Sequence, residues 1–556
     1  MIYAGRDGWM KDRRMWAAMV AAILSVTVAR ADDRLLCSGS DGTADERIDA
    51  CTRLIDTDKV EKDGLAQALQ NRAMDLSAKG EQQRAIADYS RAIEIHPAAA
   101  AFIGRGNAHY ALKDYDSAIA DYSEAVKLNP DLVSGYQNRA NAYRAKGERE
   151  RAIADYGEAI RLDPKDARAL YSRGSLYFAA KDYDRAIADY SAVIALDPDN
   201  VAARSNRGNL YLMKRDADRA MADYDVVIRL DSKQTAALVN RGNIHRDRKD
   251  YDRALADYSE AIRRNPAYAL AYSNRGSVHR IKGQLGEAIA DYSEAIRLNP
   301  KYVTAYSNRA NAWLADGKPD KAIADLDAVL RLDPKQIAAQ LSRANALRDL
   351  RQFDRALADY NEVLRVDQKN AAAFNSRGAV RQARSDLDGA ISDYNEAIRL
   401  DPAYAAAFSN RGNVYLMRGN AENALADFDA VLRLDPKDVS VLIVRGNLHR
   451  ARNDYDRAIA DYAEAIRLDP KNTIAYNNRG NTFRNMGDLD RAIADYDEAV
   501  RLDPKYAVAF MNRGSAYYEK KDFVRALSDF EMALQLDASL QDAANGRDLA
   551  KAAGKK

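Results

Sequence analysis

Asparagine recurs in this chain where its amide could do recognition chemistry. Nine asparagines stand directly before an arginine, among them Asn206, Asn240, Asn274 and Asn308. Nine more stand two residues after the Arg of the repeating Arg-Gly or Arg-Ala pair, among them Asn209, Asn243 and Asn311. The two sets are three residues apart, so on a helix they share a face. A side-chain amide offers a donor and an acceptor together, which matches the backbone of an extended peptide. Evenly spaced amides can grip such a chain whatever its side chains. The candidate peptide-binding residues are therefore Asn206, Asn209, Asn240, Asn243, Asn274, Asn308 and Asn311. A solvated polar face is the competing account. Asn is a poorer helix residue than Ala by up to about 0.7 kcal/mol, so Asn→Ala is expected to leave stability unchanged or raise it if these amides face an empty groove.

Arginine supplies two further patterns. The one in each "NRGN"-like motif is followed sixteen residues later by Asp, as in Arg207 and Asp223. A guanidinium–carboxylate pair would satisfy both groups beside a core. Six copies carry another Arg five residues on, including Arg246, Arg280 and Arg348. These are the candidate groove-edge basic residues, able to meet acidic segments or an anionic polysaccharide. Cys37 and Cys51, the only cysteines, are expected to form a disulfide.

Bond-making chemistry finds no residues. Four of the five histidines (His109, His245, His279 and His449) fall in the slot held by Tyr211 or Tyr415 in other copies. None has chelating i, i+4 company. No phosphate-binding loop, dinucleotide fingerprint, zinc-protease motif or nucleophile elbow occurs. The expectation is no enzyme, no metal and no cofactor.

The elements that must position the asparagines are set by a repeat. Arg-Gly or Arg-Ala pairs begin at Arg72 and Arg105, then recur every 34 residues to Arg513. Each copy reads as two amphipathic helices. The second, as in "RAIADYSAVIAL", puts Ala186, Ile187, Tyr190, Val193 and Ile194 on one face. Ten copies have Gly after the Arg and four have Ala, and twelve residues on every copy has Ala. These small residues are expected to let paired helices approach closely. The joints read "LDP", where Asp suits an N-cap and Pro the first turn of the next helix.

Leu170, Gly174, Tyr177, Ala186, Tyr190, Val193 and Pro198 make the pattern resemble the tetratricopeptide repeat (TPR) family. The resemblance implies an all-α solenoid of helix-turn-helix units, wound as a right-handed superhelix whose first helices line a concave groove. It places the Asn face in that groove, and some superhelical members bind peptides through such an Asn ladder. The expected divisions are residues 1–31 as a signal peptide, 32–64 as an N-terminal cap, 65–537 as fourteen repeats and 538–556 as a C-terminal capping helix.

Charge and targeting narrow the function. Residues 1–31 hold five Lys/Arg and two Asp, so the remainder carries a formal charge of −1 against +2 for the whole chain. A near-neutral body gives no global reason to bind nucleic acid. "MKDRR", an apolar run and "ARA" ending at Ala31 have the order of a cleavable secretory signal. The apolar run is too short for a typical span, though an uncleaved N-terminal anchor is the alternative. The reading is a periplasmic or secreted scaffold with no membrane span after cleavage. It binds a protein or extended peptide in its groove. The alternative is an envelope scaffold for exopolysaccharide assembly or export, using the groove-edge Arg residues.

Overall fold

A computed structural model describes residues 15–17, 19, 32–39, 41–57, 61–231 and 233–554. The expected signal lies almost wholly outside them. Among the described residues the chain is all α, built of helical hairpins in tandem. They run from Lys62–Ala78 with Gln82–Ile95 to Ala507–Glu519 with Phe523–Leu536. A typical pair is Val201–Met213, the first helix, and Ala217–Leu230, the second. The chain divides into two compact units, Met1–Val278 and His279–Lys556. Within each, hairpins pack on their neighbours in sequence order, so every repeat covers the apolar face of the next.

The turn inside each hairpin uses one left-handed residue. It is Gly at 80, 147, 283, 317, 419 and 487, with φ between 70° and 88°. In the other copies Lys113, Lys181, Arg215, Lys249, Arg351, Ser385, Asn453 and Lys521 take φ between 57° and 66°. The second helix then opens on a capping residue. Asp182, Asp216, Asp250, Asp454 and Asp488 each accept from a backbone N–H three residues on.

The "LDP" joints differ from expectation. Asp197 follows the C-terminus of Tyr183–Leu196, and the next helix starts only at Val201, capped by Asn200. The carboxylates of such joints fold back on the turn: Asp163 accepts from the Lys165 backbone N–H at 3.0 Å and Asp435 from that of Lys437 at 3.0 Å. A short Asp side chain closes this local turn more readily than it reaches a helix three residues away, and Pro presets φ within it. Pro319 alone starts a helix.

The glycine after the Arg has a more specific partner than the facing Ala. A Cβ on Gly208 would stand 2.9 Å from Cε1 of Tyr224, and one on Gly242 would stand 2.7 Å from Cε1 of Tyr258. The position seats a tyrosine ring of the second helix. Those rings are fully buried, as are the alanines such as Ala220 and Ala254.

The N-terminal segment is a shortened hairpin. Residues 32–38 are helical and Ala44–Ile55 opens on a capping box of Thr43 and Glu46. A disulfide joins Cys37 to Cys51 with Cα atoms 4.9 Å apart. At the other end Gln541–Ala553 buries Ala543 and Ala550, with Gly546 against the Phe530 ring.

Candidate peptide-binding face

In the first unit the asparagines are joined to one another through tyrosine. The Tyr224 hydroxyl donates to Asn209 Oδ1 at 2.6 Å, and Asn240 Nδ2 of the next repeat donates to the same oxygen at 3.0 Å. The Tyr258 hydroxyl donates to Asn243 Oδ1 at 2.8 Å, and Asn274 Nδ2 reaches that oxygen at 3.0 Å. Tyr122, Asn107 and Asn138 repeat the arrangement at 2.7 and 3.1 Å. In the second unit Tyr462, Asn447 and Asn478 do so at 2.7 and 3.0 Å. First helices of these neighbouring repeats therefore lie side by side.

The remaining candidates differ. Asn206 donates to the Tyr171 hydroxyl at 3.0 Å and to that of Tyr190 at 3.4 Å, because Ser175 replaces the asparagine of that repeat. Asn308 is half-buried and Asn311 exposed, and neither has a hydrogen bond among the described residues. Leu326 stands where other repeats have tyrosine, so Asn311 lacks the hydroxyl. The tyrosine partners went unread in the sequence, although a constant spacing of fifteen residues, Asn209 to Tyr224, was there to find them.

Each rung leaves groups unspent. Asn209 Oδ1 is used twice while its Nδ2 has no hydrogen-bond partner among the described residues; Asn240 uses its Nδ2, and its Oδ1 has none among them. Asn243 and Asn274 leave the same pair. Burial pushes the tyrosines above the ordinary phenol range: Tyr360 and Tyr462 rise to about 12, and Tyr224 and Tyr258 also shift upward. They stay protonated donors at neutral pH.

Behind this face the repeating arginine is spent on structure. In thirteen copies it makes a two-pronged pair with the Asp sixteen residues later, as Arg207 does with Asp223 at 2.8 and 2.7 Å. The hydrogen bond to Asp223 raises the Arg207 pKa, against an opposing desolvation. Its Nη1 also reaches backward to Ser191 at 2.9 Å, as Arg139 does to Ser123 and Arg343 to Asp327. The side chain thus links two hairpins.

The edge cations are partly neutralised. Arg246 pairs with Asp247 at 2.8 Å and Arg348 with Asp349 at 2.9 Å, while Arg280 is exposed. His245 sits 4.0 and 3.9 Å from Asp250 and Asp257 in the tyrosine slot. No group of three or more potential metal ligands is gathered among the described residues. No described helix is long and apolar enough to cross a membrane. An open cavity of about 510 Å³ lies at the N-terminal end, between Cys37, Leu54, Gln67 and Asn71.

Comparison with known proteins agrees with the repeat. Tetratricopeptide repeat models match residues 138–201, 181–235, 443–507 and 477–540, and residues 405–438. A model described as TPR repeat matches 106–147, 242–280, 276–317 and 383–419. Together these span well over half of the chain. No curated protein sequence matches. Among solved structures, YrrB, described as a TPR protein with an unusual peptide-binding site, is 22% identical over 34% of this chain and 97% of its own, with a TM-score of 0.31. Yeast Tom70 is 18% identical over 82% of this chain and 95% of its own, with a TM-score of 0.32. A TPR protein from Parabacteroides merdae is 22% identical over 45% and 98%, with a TM-score of 0.34. With fourteen copies of the repeat in sequence, tandem two-helix hairpins in structure and repeat models matching along most of its length, the chain belongs to the tetratricopeptide repeat family.

Proposed function

We propose that this protein is an exported, non-catalytic scaffold that binds an extended polypeptide segment along the face lined by its first helices. A TPR fold implies protein or peptide interaction; the finer reading rests on one observation. Rungs such as Asn209 with Asn240 keep an amide donor and an amide acceptor without partners among the described residues. Those are the two groups that a peptide unit consumes. Export is supported by the buried disulfide, which suits an oxidising compartment. The exopolysaccharide alternative would need free guanidinium groups along the edge, yet Arg246 and Arg348 already share their charge with a neighbouring carboxylate.

The test is a pull-down from the organism's own cell envelope, run with the native chain and with an Asn209→Ala, Asn243→Ala variant that folds. A protein partner retained by the native chain at high salt and lost by the variant supports the reading. A partner that elutes steeply with salt and ignores the variant points instead to charge-driven capture.

A further inference from the structure

We infer that the contact between the hairpin of Val133–Lys146 with Arg149–Leu162 and that of Ala167–Ala179 with Tyr183–Leu196 is a hinge, at which the first unit bends to open or close the face lined by its first helices. The inference does not depend on what that face binds. Three side-chain bonds recur between successive hairpins of this unit. The repeating arginine reaches back through Nη1, as Arg139 does to Ser123 at 3.1 Å, Arg207 to Ser191 at 2.9 Å and Arg241 to Asp225 at 2.7 Å. A cation at the end of the first helix pairs with an Asp of the preceding second helix. Lys146 does so with Asp116 and Arg248 with Asp218, each at 2.6 Å, and Lys214 with Asp184. An asparagine reaches the preceding repeat, as Asn138 does to Asn107, Asn206 to Tyr171 and Asn240 to Asn209.

At this contact all three are missing among the described residues. Gly157 stands where Ser123, Ser191 and Asp225 supply the acceptor, and Arg173 donates only through Nε and Nη2, to its own Asp189 at 2.9 and 2.7 Å. Ala180 stands where Lys146, Lys214 and Arg248 carry the cation, and Glu150 is left without an ion pair among the described residues. Ser172 stands in the asparagine slot, and only its short hydroxyl comes near that of Tyr156. Every other pair of successive hairpins in the unit keeps at least one of the three bonds. What remains here is apolar, a cluster of Tyr156, Ala159 and Ile160 with Ala169 and Leu176. Apolar burial holds two surfaces together without a preferred direction, whereas hydrogen bonds fix an angle. Packed helices held only by the former can slide in small shears. Gly157 also leaves room, since a Cβ there would meet only Arg173 Nη1 across the contact, at 3.6 Å.

Spin labels two hairpins apart test the hinge. Ala154, Ala188, Ala222 and Ala256 are exposed and hold the same position in four successive second helices. They are replaced by Cys in pairs and labelled; Cys37 and Cys51 are bridged and take no label. Ala154→Cys with Ala222→Cys spans the contact, whereas Ala188→Cys with Ala256→Cys spans only contacts that keep their bonds. Double electron–electron resonance should give the first pair the broader distance distribution. Gly157→Ser with Ala180→Lys supplies an acceptor for Arg173 and a cation for Glu150, and the excess width should be lost. Gly157→Ala adds a Cβ and helix propensity but no acceptor, and should leave the distribution broad. Equal widths for the two pairs in the otherwise native chain overturn the inference. So does a distribution that stays broad in the Gly157→Ser, Ala180→Lys chain. Narrowing by Gly157→Ala alone also overturns it, because the backbone freedom of the glycine, and not the missing bonds, would then set the motion.

Discussion

Arg207 donates through Nε and Nη2 to the two carboxylate oxygens of Asp223, at 2.8 and 2.7 Å, and Asp223 is only 2% exposed. Removing one partner of a buried pair costs about 3–5 kcal/mol where the other charge is left alone; Arg204 Nη1, 3.5 Å from Asp223 Oδ1, lowers that cost for loss of Arg207. We expect Arg207→Leu and Asp223→Ala to be costly singly and non-additive together, with a coupling above about 0.5 kcal/mol in a double-mutant cycle. Additivity would show that the pair does not act as a unit. Because Nη1 also reaches Ser191, hydrogen exchange should rise in the preceding hairpin as well as in this one.

The left-handed turn residues separate backbone strain from side-chain contact. Lys249 sits at φ 62° where other copies have Gly. Lys249→Gly should stabilise by up to about 1 kcal/mol, since only Gly takes this conformation without steric cost. The reverse change, Gly147→Lys, should destabilise by a similar amount. Urea melts of both variants check the sign, and a loss of stability in Lys249→Gly would refute the strain account.

Asn209 and Asn311 now have different expected roles. Asn209→Ala takes away the acceptor of the buried Tyr224 hydroxyl and leaves its oxygen only Asn240 Nδ2 at 3.3 Å, at a cost of about 1–3 kcal/mol. Asn311 is exposed with no hydrogen bond among the described residues, so Asn311→Ala should be neutral or gain up to about 0.7 kcal/mol from helix propensity. Equal effects of the two substitutions on the melting midpoint would contradict the network.

Alkaline pH should unfold the array from within. The buried tyrosines titrate high when folded, Tyr360 and Tyr462 at about 12, against about 10 in an unfolded chain. Above the unfolded value the unfolded state holds fewer protons, so stability is level below about pH 10 and falls as pH rises towards 12. Part of the tyrosinate absorbance of native protein should appear only above the pH of the step seen in denaturant. A single native step near pH 10 would mean that the rings are open to solvent.

The Cys37–Cys51 link should matter locally. Closing a loop of about 15 residues is worth about 3 kcal/mol in the chain-entropy model. Cys51→Ser should fray residues 32–78 in hydrogen exchange and leave the repeats beyond them protected, because each hairpin contacts only its neighbours. Free thiols in protein recovered from its native compartment would remove this role.

Much of the architecture was legible in the letters alone. A spacing of 34 residues, helical periodicity within each copy and a fixed Arg-to-Asp interval are local, repeated signals, and repetition averages out the noise of any single copy. The hairpins and the Arg207–Asp223 pairing follow from them, and the Cys37–Cys51 bridge from two cysteines standing close together. What the letters could not say was where each polar group spends its hydrogen bonds. Asn209, Tyr224 and Asn240 lie on three different helices of two repeats, and only their packing brings two donors onto one oxygen. The same limit hid the seat of the Tyr224 ring on Gly208, the backward reach of Arg207 to Ser191 and the closing of the "LDP" turns by their own Asp. Helical periodicity says which face a residue occupies. Distance between faces is a property of the assembled stack, and hydrogen bonds are decided at that scale.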